Sequence, residues 1–312
     1  MRKQIISTIC LIILSITILS SFCANALTSL DTTANASLTL LYQKDSDVFP
    51  ELKIDIHKVA KALPNGTFEL IEPFSSYPVN IHDITLQEQW KNIASTLTSY
   101  ITANQLEPTR QEYTDKNGAV IFRDLETGLY LISAVIAENN SGTFVFDRFM
   151  VYLPTPQPNG SYDYDIEAKP KCSEFKPKTE YRVTKLWQDS DNKTVRPKEV
   201  TVDIYKDGNL QETKLLTSDN NWSYTWYTSA DDISEWTVTE RDIPKEYTVT
   251  LHQNNSDFSI INTLRHESEL PDPEMPDTPQ TGDTFSPLPI ILIMCLSGLI
   301  LLIVGIYSRR RR

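Results

Sequence analysis

The chain has 312 residues and carries 41 acidic against 29 basic side chains, a formal charge of −12. That balance disfavours nucleic acid and anionic lipid as partners, and the length suits about two domains. Of the four cysteines only Cys172 lies outside the end segments 1–26 and 278–312, which excludes a disulfide framework in the stretch they enclose.

Taken in order, Arg2 and Lys3 precede an apolar stretch over 5–18, and Ala24-Asn25-Ala26 offers the small residues a signal peptidase needs. Residues 1–26 therefore read as a secretory signal cut after Ala26. A lipoprotein at Cys23 is disfavoured, because Phe22 is too bulky for the position before a lipidated cysteine. Alternating runs over 37–42 and 52–59 predict two strands. From 83 to 103, Ile84, Leu86, Trp90, Ile93, Ala94, Leu97, Tyr100 and Ile101 recur at helical spacing, so one amphipathic helix is set into a β-domain, with Trp90 and Tyr100 packed on a sheet. The β-signals then resume. Residues 114–118 form a turn with Gly118 suited to positive φ, and strands follow at 119–122, 129–135, 144–153 and 162–168. Short strands with turns between them predict a β-sandwich over 30–176.

A second, smaller sandwich is predicted over 179–265, with alternating runs at 181–187 and 200–205, a hairpin turn at Asp207-Gly208, and further strands at 222–226, 236–240, 247–251 and 258–262. The chain then turns polar over 266–281, with Pro271, Pro273, Pro276 and Pro279. This favours an extended tether of ~3.1 Å per residue, roughly 50 Å long. At 278–312, Thr278-Pro279-Gln280-Thr281-Gly282 precedes an apolar run over 288–307 and four closing arginines. A helix over that run would cover the ~30 Å of a bilayer core, and the arginines would stay on the cytoplasmic side.

The sharpest chemical constellation is Lys185, Glu240 and Asn262. Strand period two puts Lys185 on a face with Val183 and Trp187, Glu240 with Trp236 and Val238, and Asn262 with Ile260, so three polar groups point into one core. Each is costly to bury alone. Together they have a chemical outlet: desolvation favours neutral Lys185 and protonated Glu240, the states that amine attack on the Asn262 carboxamide requires. Other chemistry is absent from the sequence. His57, His82, His252 and His266 are scattered without metal-ligand spacing, no phosphate loop or nucleophile elbow occurs, and Cys172 has no His in a recognisable arrangement, so neither metal nor cofactor is expected. Residues 189–192 read as a solvated turn rather than a calcium loop, and Lys53 and Lys58 as solvated strand residues.

Four resemblances extend these readings. Lys116-Asn117-Gly118, Phe122, Leu125, Gly128-Leu129-Tyr130-Leu131, the run over 149–154 and the run over 162–171 look like the N-terminal domain of Gram-positive sortase-assembled pilins. Val183-Thr184-Lys185-Leu186-Trp187, Arg196-Pro197, Asp207-Gly208, Asn221-Trp222-Ser223-Tyr224, Trp236-Thr237-Val238-Thr239-Glu240 and Ile260-Ile261-Asn262-Thr263 resemble the collagen-adhesin B-type (Cna-B) domain. That resemblance implies a self-catalysed Lys185–Asn262 isopeptide bond with Glu240 as the acid. The first domain offers Leu40, Leu41 and Tyr42 where the lysine is expected and Ala134 where the acid is, so no such bond is expected there.

The tail resembles a cell-wall sorting signal, with Thr278 where Leu is usual. It implies a sortase that recognises Thr278, Pro279 and Gln280, cuts between Thr281 and Gly282, and joins Thr281 to peptidoglycan. The run from Tyr164 to Pro170-Lys171 is similar to the pilin motif whose lysine receives the next subunit, although Lys169 and Cys172 replace the usual Tyr and Asn. It implies Lys171 as acceptor for a major pilin. The expected protein is mostly β, two tandem sandwiches on a wall anchor: a basal minor pilin that catalyses nothing beyond its own cross-link. The alternative is a monomeric wall-anchored adhesin for a host or matrix ligand.

Overall fold

The computed structural model describes residues 30–190 and 196–265, all within one compact unit. The stretches read from the sequence as signal peptide, tether and sorting signal lie outside the described residues. Among the described residues, no helix is long and apolar enough to cross a membrane.

The first sandwich comprises, in chain order, β1 (Ala36–Leu41), β2 (Lys53–Ala62), β3 (Phe68–Leu70), α1 (Gln87–Asn104), β4 (Arg110–Tyr113), β5 (Ala119–Leu125), β6 (Gly128–Ile132), β7 (Val135–Asn139), β8 (Gly142–Phe146), β9 (Phe149–Leu153), β10 (Asp165–Ala168) and β11 (Cys172–Glu174). One sheet runs β9-β6-β2-β3, with β4 also on β2; another runs β10-β1-β5, and a third β11-β8-β7. β1 alternates strictly, so Ala36, Leu38 and Leu40 point inward to meet Phe122, Tyr130 and Phe146. Gly118 closes the turn before β5 at φ 72, where a Cβ would sit 2.4 Å from the Tyr42 carbonyl oxygen, so the sequence expectation of glycine there has a steric cause.

α1 begins where the Gln89 side-chain oxygen accepts the Leu86 backbone N–H at 2.9 Å, and ends at Gln105 in the left-handed region at φ 49. Trp90 meets Tyr152 edge-on, and Tyr100 stacks on Tyr77 at 4.2 Å, as a helix lying on its own domain requires. A second face is buried as well. Ser95, Thr96 and Ser99 are as inaccessible as Ile93 and Leu97, because the second sandwich covers them. Small hydroxyl-bearing side chains let the helix approach that neighbour closely, so α1 serves two sandwiches at once.

The second sandwich comprises β12 (Glu180–Gln188), β13 (Glu199–Lys206), β14 (Asn209–Thr217), β15 (Ser223–Tyr227), β16 (Trp236–Glu240), β17 (Tyr247–Asn254) and β18 (Asp257–Leu264). Its sheets run β15-β12-β18-β17 and β14-β13-β16. The β13–β14 hairpin turns on Asp207 and Gly208, both at positive φ as a two-residue turn demands. First and last strands, β12 and β18, lie side by side and parallel, with Lys185 opposite Ile260 and Trp187 opposite Asn262.

β17 is an edge strand of this sandwich, and its backbone is covered by the first. Leu251 N donates to Thr96 Oγ1 at 2.8 Å, and Val249 N donates to the Pro78 carbonyl at 2.8 Å. An otherwise open row of strand donors is thereby satisfied. An Arg148–Glu235 ion pair and a contact between His252 Nε2 and Glu88 Oε1 at 3.3 Å join the sandwiches farther out.

Two local expectations are corrected. Lys58 is not a solvated strand residue: its side chain is only 12% exposed and pairs with Glu126, whereas Lys53 is half-exposed as expected. Asp189 is not part of a solvated turn either. It is buried, bound by both Nε and Nη2 of Arg196, and accepts the Tyr247 hydroxyl at 3.0 Å.

Candidate functional site

The period-two reading of β12, β16 and β18 brings Lys185, Glu240 and Asn262 into one core. Lys185 is 2% exposed, Glu240 4% and Asn262 0%. Lys185 Nζ lies 3.5 Å from Glu240 Oε2, and Asn262 Nδ2 donates to Glu240 Oε1 at 2.9 Å. Glu240 thus bridges the other two across the sandwich, from the C-terminal end of the edge strand β16 to the adjacent first and last strands of the other sheet. Nζ also donates to the carbonyls of Leu186 at 3.0 Å and Ile260 at 3.3 Å, and sits 4.2 Å over the Trp187 ring. These contacts fix the amine on the Asn262 side of its strand.

Burial sets the charge states. Desolvation pulls the Lys185 amine down to about 8 from its usual 10.5, with Glu240 opposing the fall. Desolvation likewise raises the Glu240 carboxyl, against the opposing pull of Lys185 and Asn262. Both shifts favour the uncharged pair. Two buried oxygens here lack a hydrogen-bond partner, Glu240 Oε2 and Asn262 Oδ1. A proton on Glu240 adds a donor to a site with two unsatisfied acceptors while Oε1 keeps the Asn262 amide, so burial suits the acid form. The arrangement therefore holds an amine, a carboxamide and a carboxyl group together in a buried site, with desolvation pushing both titratable groups toward their uncharged forms.

Residues 181–263 match the model of the Cna protein B-type domain. The second sandwich is a Cna-B domain. Among curated proteins, the collagen adhesin of Staphylococcus aureus is 31% identical over 139 residues, spanning 41% of this chain but only 12% of that protein. Among solved structures, a single B repeat unit of the collagen-binding surface protein of Staphylococcus aureus is 15% identical, with 75% of this chain and 100% of that chain covered at a TM-score of 0.26. The full-length major pilin SpaD from Corynebacterium diphtheriae is 16% identical, with 76% of this chain and 66% of that chain covered at a TM-score of 0.31.

The other sequence-derived sites separate from this one. Lys171 is exposed immediately before β11, its carbonyl held by the Asp147 N–H at 2.9 Å. Cys172 is a free, half-buried thiol whose pKa is pushed up by burial, the wrong direction for a nucleophile. Thr278, Pro279, Gln280, Thr281 and Gly282 lie outside the described residues. In the first sandwich, the described buried polar residues are His57, Ser95, Thr96, Ser99, Thr114 and Thr127, a set without lysine, acid or amide. Sequence reasoning missed the contribution of the first sandwich to the Cna-B domain's edge. The signal for it was the hydroxyl cluster Ser95, Thr96 and Ser99 among apolar helical positions.

Proposed function

We propose that this chain is a structural cell-surface protein whose Cna-B domain ties its first strand to its last through an isopeptide bond. Neutral Lys185 Nζ attacks Asn262 Cγ while protonated Glu240 hydrogen-bonds Oδ1. The Nζ–Cγ bond forms, the Cγ–Nδ2 bond breaks, and Glu240 relays the proton lost by the amine to the departing nitrogen, which leaves as ammonia. The observation that carries this reading is the fully buried Lys185–Glu240–Asn262 cluster inside the matched domain. Peptide mapping of the full chain tests it: the Lys185 and Asn262 peptides should travel as one species, lighter by one ammonia than their sum. Glu240→Ala should return them as separate peptides. Unmodified peptides from the parent chain would refute the cross-link.

At the level of the cell, the chain acts as the basal minor pilin of a sortase-assembled pilus. A sortase reads Thr278, Pro279 and Gln280, cleaves between Thr281 and Gly282, and transfers Thr281 to peptidoglycan. Lys171 accepts the major pilin, a role its exposure permits. The match to a collagen adhesin favours a second reading, a monomeric wall-anchored adhesin for a host or matrix ligand. Immunoblots of wall extracts separate the two, since a pilin gives a high-mass ladder and a lone adhesin a single band.

A further inference from the structure

Three of the hydrogen bonds between the first sandwich and the Cna-B domain land beside members of the cluster. Thr239, next to Glu240, donates Oγ1 to the Ser99 carbonyl at 3.0 Å. Val249, the register partner of Asn262, donates its N–H to the Pro78 carbonyl at 2.8 Å. Leu251, the register partner of Ile260, donates to Thr96 Oγ1 at 2.8 Å, and the Ile260 carbonyl in turn accepts Lys185 Nζ at 3.3 Å. Tyr77, 8% exposed and stacked on Tyr100, completes this face and packs in the same apolar cluster as Val238 and Val249.

We propose that the first sandwich is the outer wall of the cross-linking site, with Tyr77, Pro78, Thr96 and Ser99 as positioning residues, so that the bond forms in the Cna-B domain only once the two sandwiches have docked. The proposal rests on the isopeptide reading above and adds a partner domain to it. Its physical basis is solvation. Lys185 and Glu240 reach their uncharged states only where water is excluded, and β17 is the edge strand that separates β18 from solvent on this side. With Tyr77 and α1 removed, the edge donors of β17 turn to water, and the ion pair gains over the neutral pair. The Glu240 charge already reaches the Tyr77 phenol, whose pKa is raised by burial first and by that carboxylate among the lesser causes. Docking thus acts as an assembly check, because an undocked chain keeps its last strand unlinked.

The test follows the cross-link by peptide mapping during a pulse and chase of the full chain in cell-free synthesis. Tyr77→Ala should lengthen the half-time about tenfold, the effect of one pKa unit on the neutral pair, and Tyr77→Phe should restore it. Thr96→Val keeps the helix shape and removes the acceptor for Leu251, and should slow the reaction by a smaller factor. Phe258→Leu, a core change in the same strand as Asn262 but packed against Tyr181 and Trp226, should lower stability and leave the rate unchanged. Absence of the bond from the parent chain defeats the isopeptide reading itself. A parent chain that cross-links while Tyr77→Ala and Thr96→Val do so at the parent rate overturns the wall proposal alone, as does a Tyr77→Phe chain as slow as Tyr77→Ala.

Discussion

The two sandwiches share a feature of topology and differ in what they place on it. In each, the opening strand pairs in parallel with a late strand: β1 with β10, and β12 with β18. In the first, the inward positions of that pair are Leu38, Leu40, Ile166 and Ala168, and the core is filled by aromatics, with Tyr42 against Phe146 at 4.9 Å and Phe49 against Phe146 at 5.0 Å. In the second, the same kind of pairing carries Lys185 and Asn262, with Glu240 reaching them from the facing sheet. Strand order alone therefore does not create the polar cluster. Two polar residues on the paired strands and one facing them do, and they are tolerable in the core because they pair with one another.

The largest break in this comparison should come from Glu240→Ala. It removes the acid and, with it, the cross-link that closes a loop of about 80 residues, a constraint of about 4–5 kcal/mol in the chain-entropy view. It also strands Lys185 in the core without a carboxylate, at a further cost of about 3–5 kcal/mol. Chemical denaturation should show the Cna-B domain falling below the first sandwich in stability. In the opposite direction, Phe146→Ala should cost the first sandwich about 3–5 kcal/mol, because the ring is fully buried among Tyr42 and Phe49. Limited proteolysis should then cut the first sandwich while the cross-linked one survives.

A smaller effect distinguishes the two by pH. In Asn262→Ala the bond cannot form and Lys185 stays a free amine, with its folded pKa near 8 against 10.5 in the unfolded chain. The unfolded state then holds more protons across that window, so stability should rise with pH between 8 and 10.5, by about 3 kcal/mol for the full shift. Glu240 has the opposite sign: its raised folded pKa means that stability falls as pH climbs from 4.5 through that value. On the isopeptide reading Lys185 of the parent chain is an amide, so the parent should lack the rise at high pH. Asn262→Ala with Lys185→Met provides the background to subtract, and a rise that persists there would show that another group is responsible.

Much of this was legible from residue order. Alternation placed Val183, Lys185 and Trp187 on one face of β12, and the structure buries Val183 and Lys185 and half-buries Trp187 there. The helix was legible too, because Trp90, Ile93, Ala94, Leu97, Tyr100 and Ile101 recur at its period, although it starts at Gln87, after Ile84 and Leu86. What it touches on its second side was not. Ser95, Thr96 and Ser99 look like solvent-facing positions in any hydropathy pattern, and only the neighbouring sandwich makes them interior. Asp189 misled for a related reason: a run of polar residues reads as a solvated turn until Arg196 and Tyr247, distant in sequence, close over it.

The smallest expected effect on stability belongs to Lys171→Ala, and that makes it the sharpest test of the pilin reading. Lys171 is exposed, and its backbone carbonyl, not its side chain, is what the Asp147 N–H binds. Truncating the side chain should leave the unfolding free energy of both sandwiches within about 0.5 kcal/mol of the parent. If Lys171 is the amine that receives the shaft, the same substitution should collapse the high-mass ladder in wall extracts to the monomer band. A ladder that persists in a fully folded Lys171→Ala chain would move the acceptor to another exposed lysine. A single band in the parent chain would instead favour the adhesin reading, since the surface position of Lys171 would then have no partner to serve.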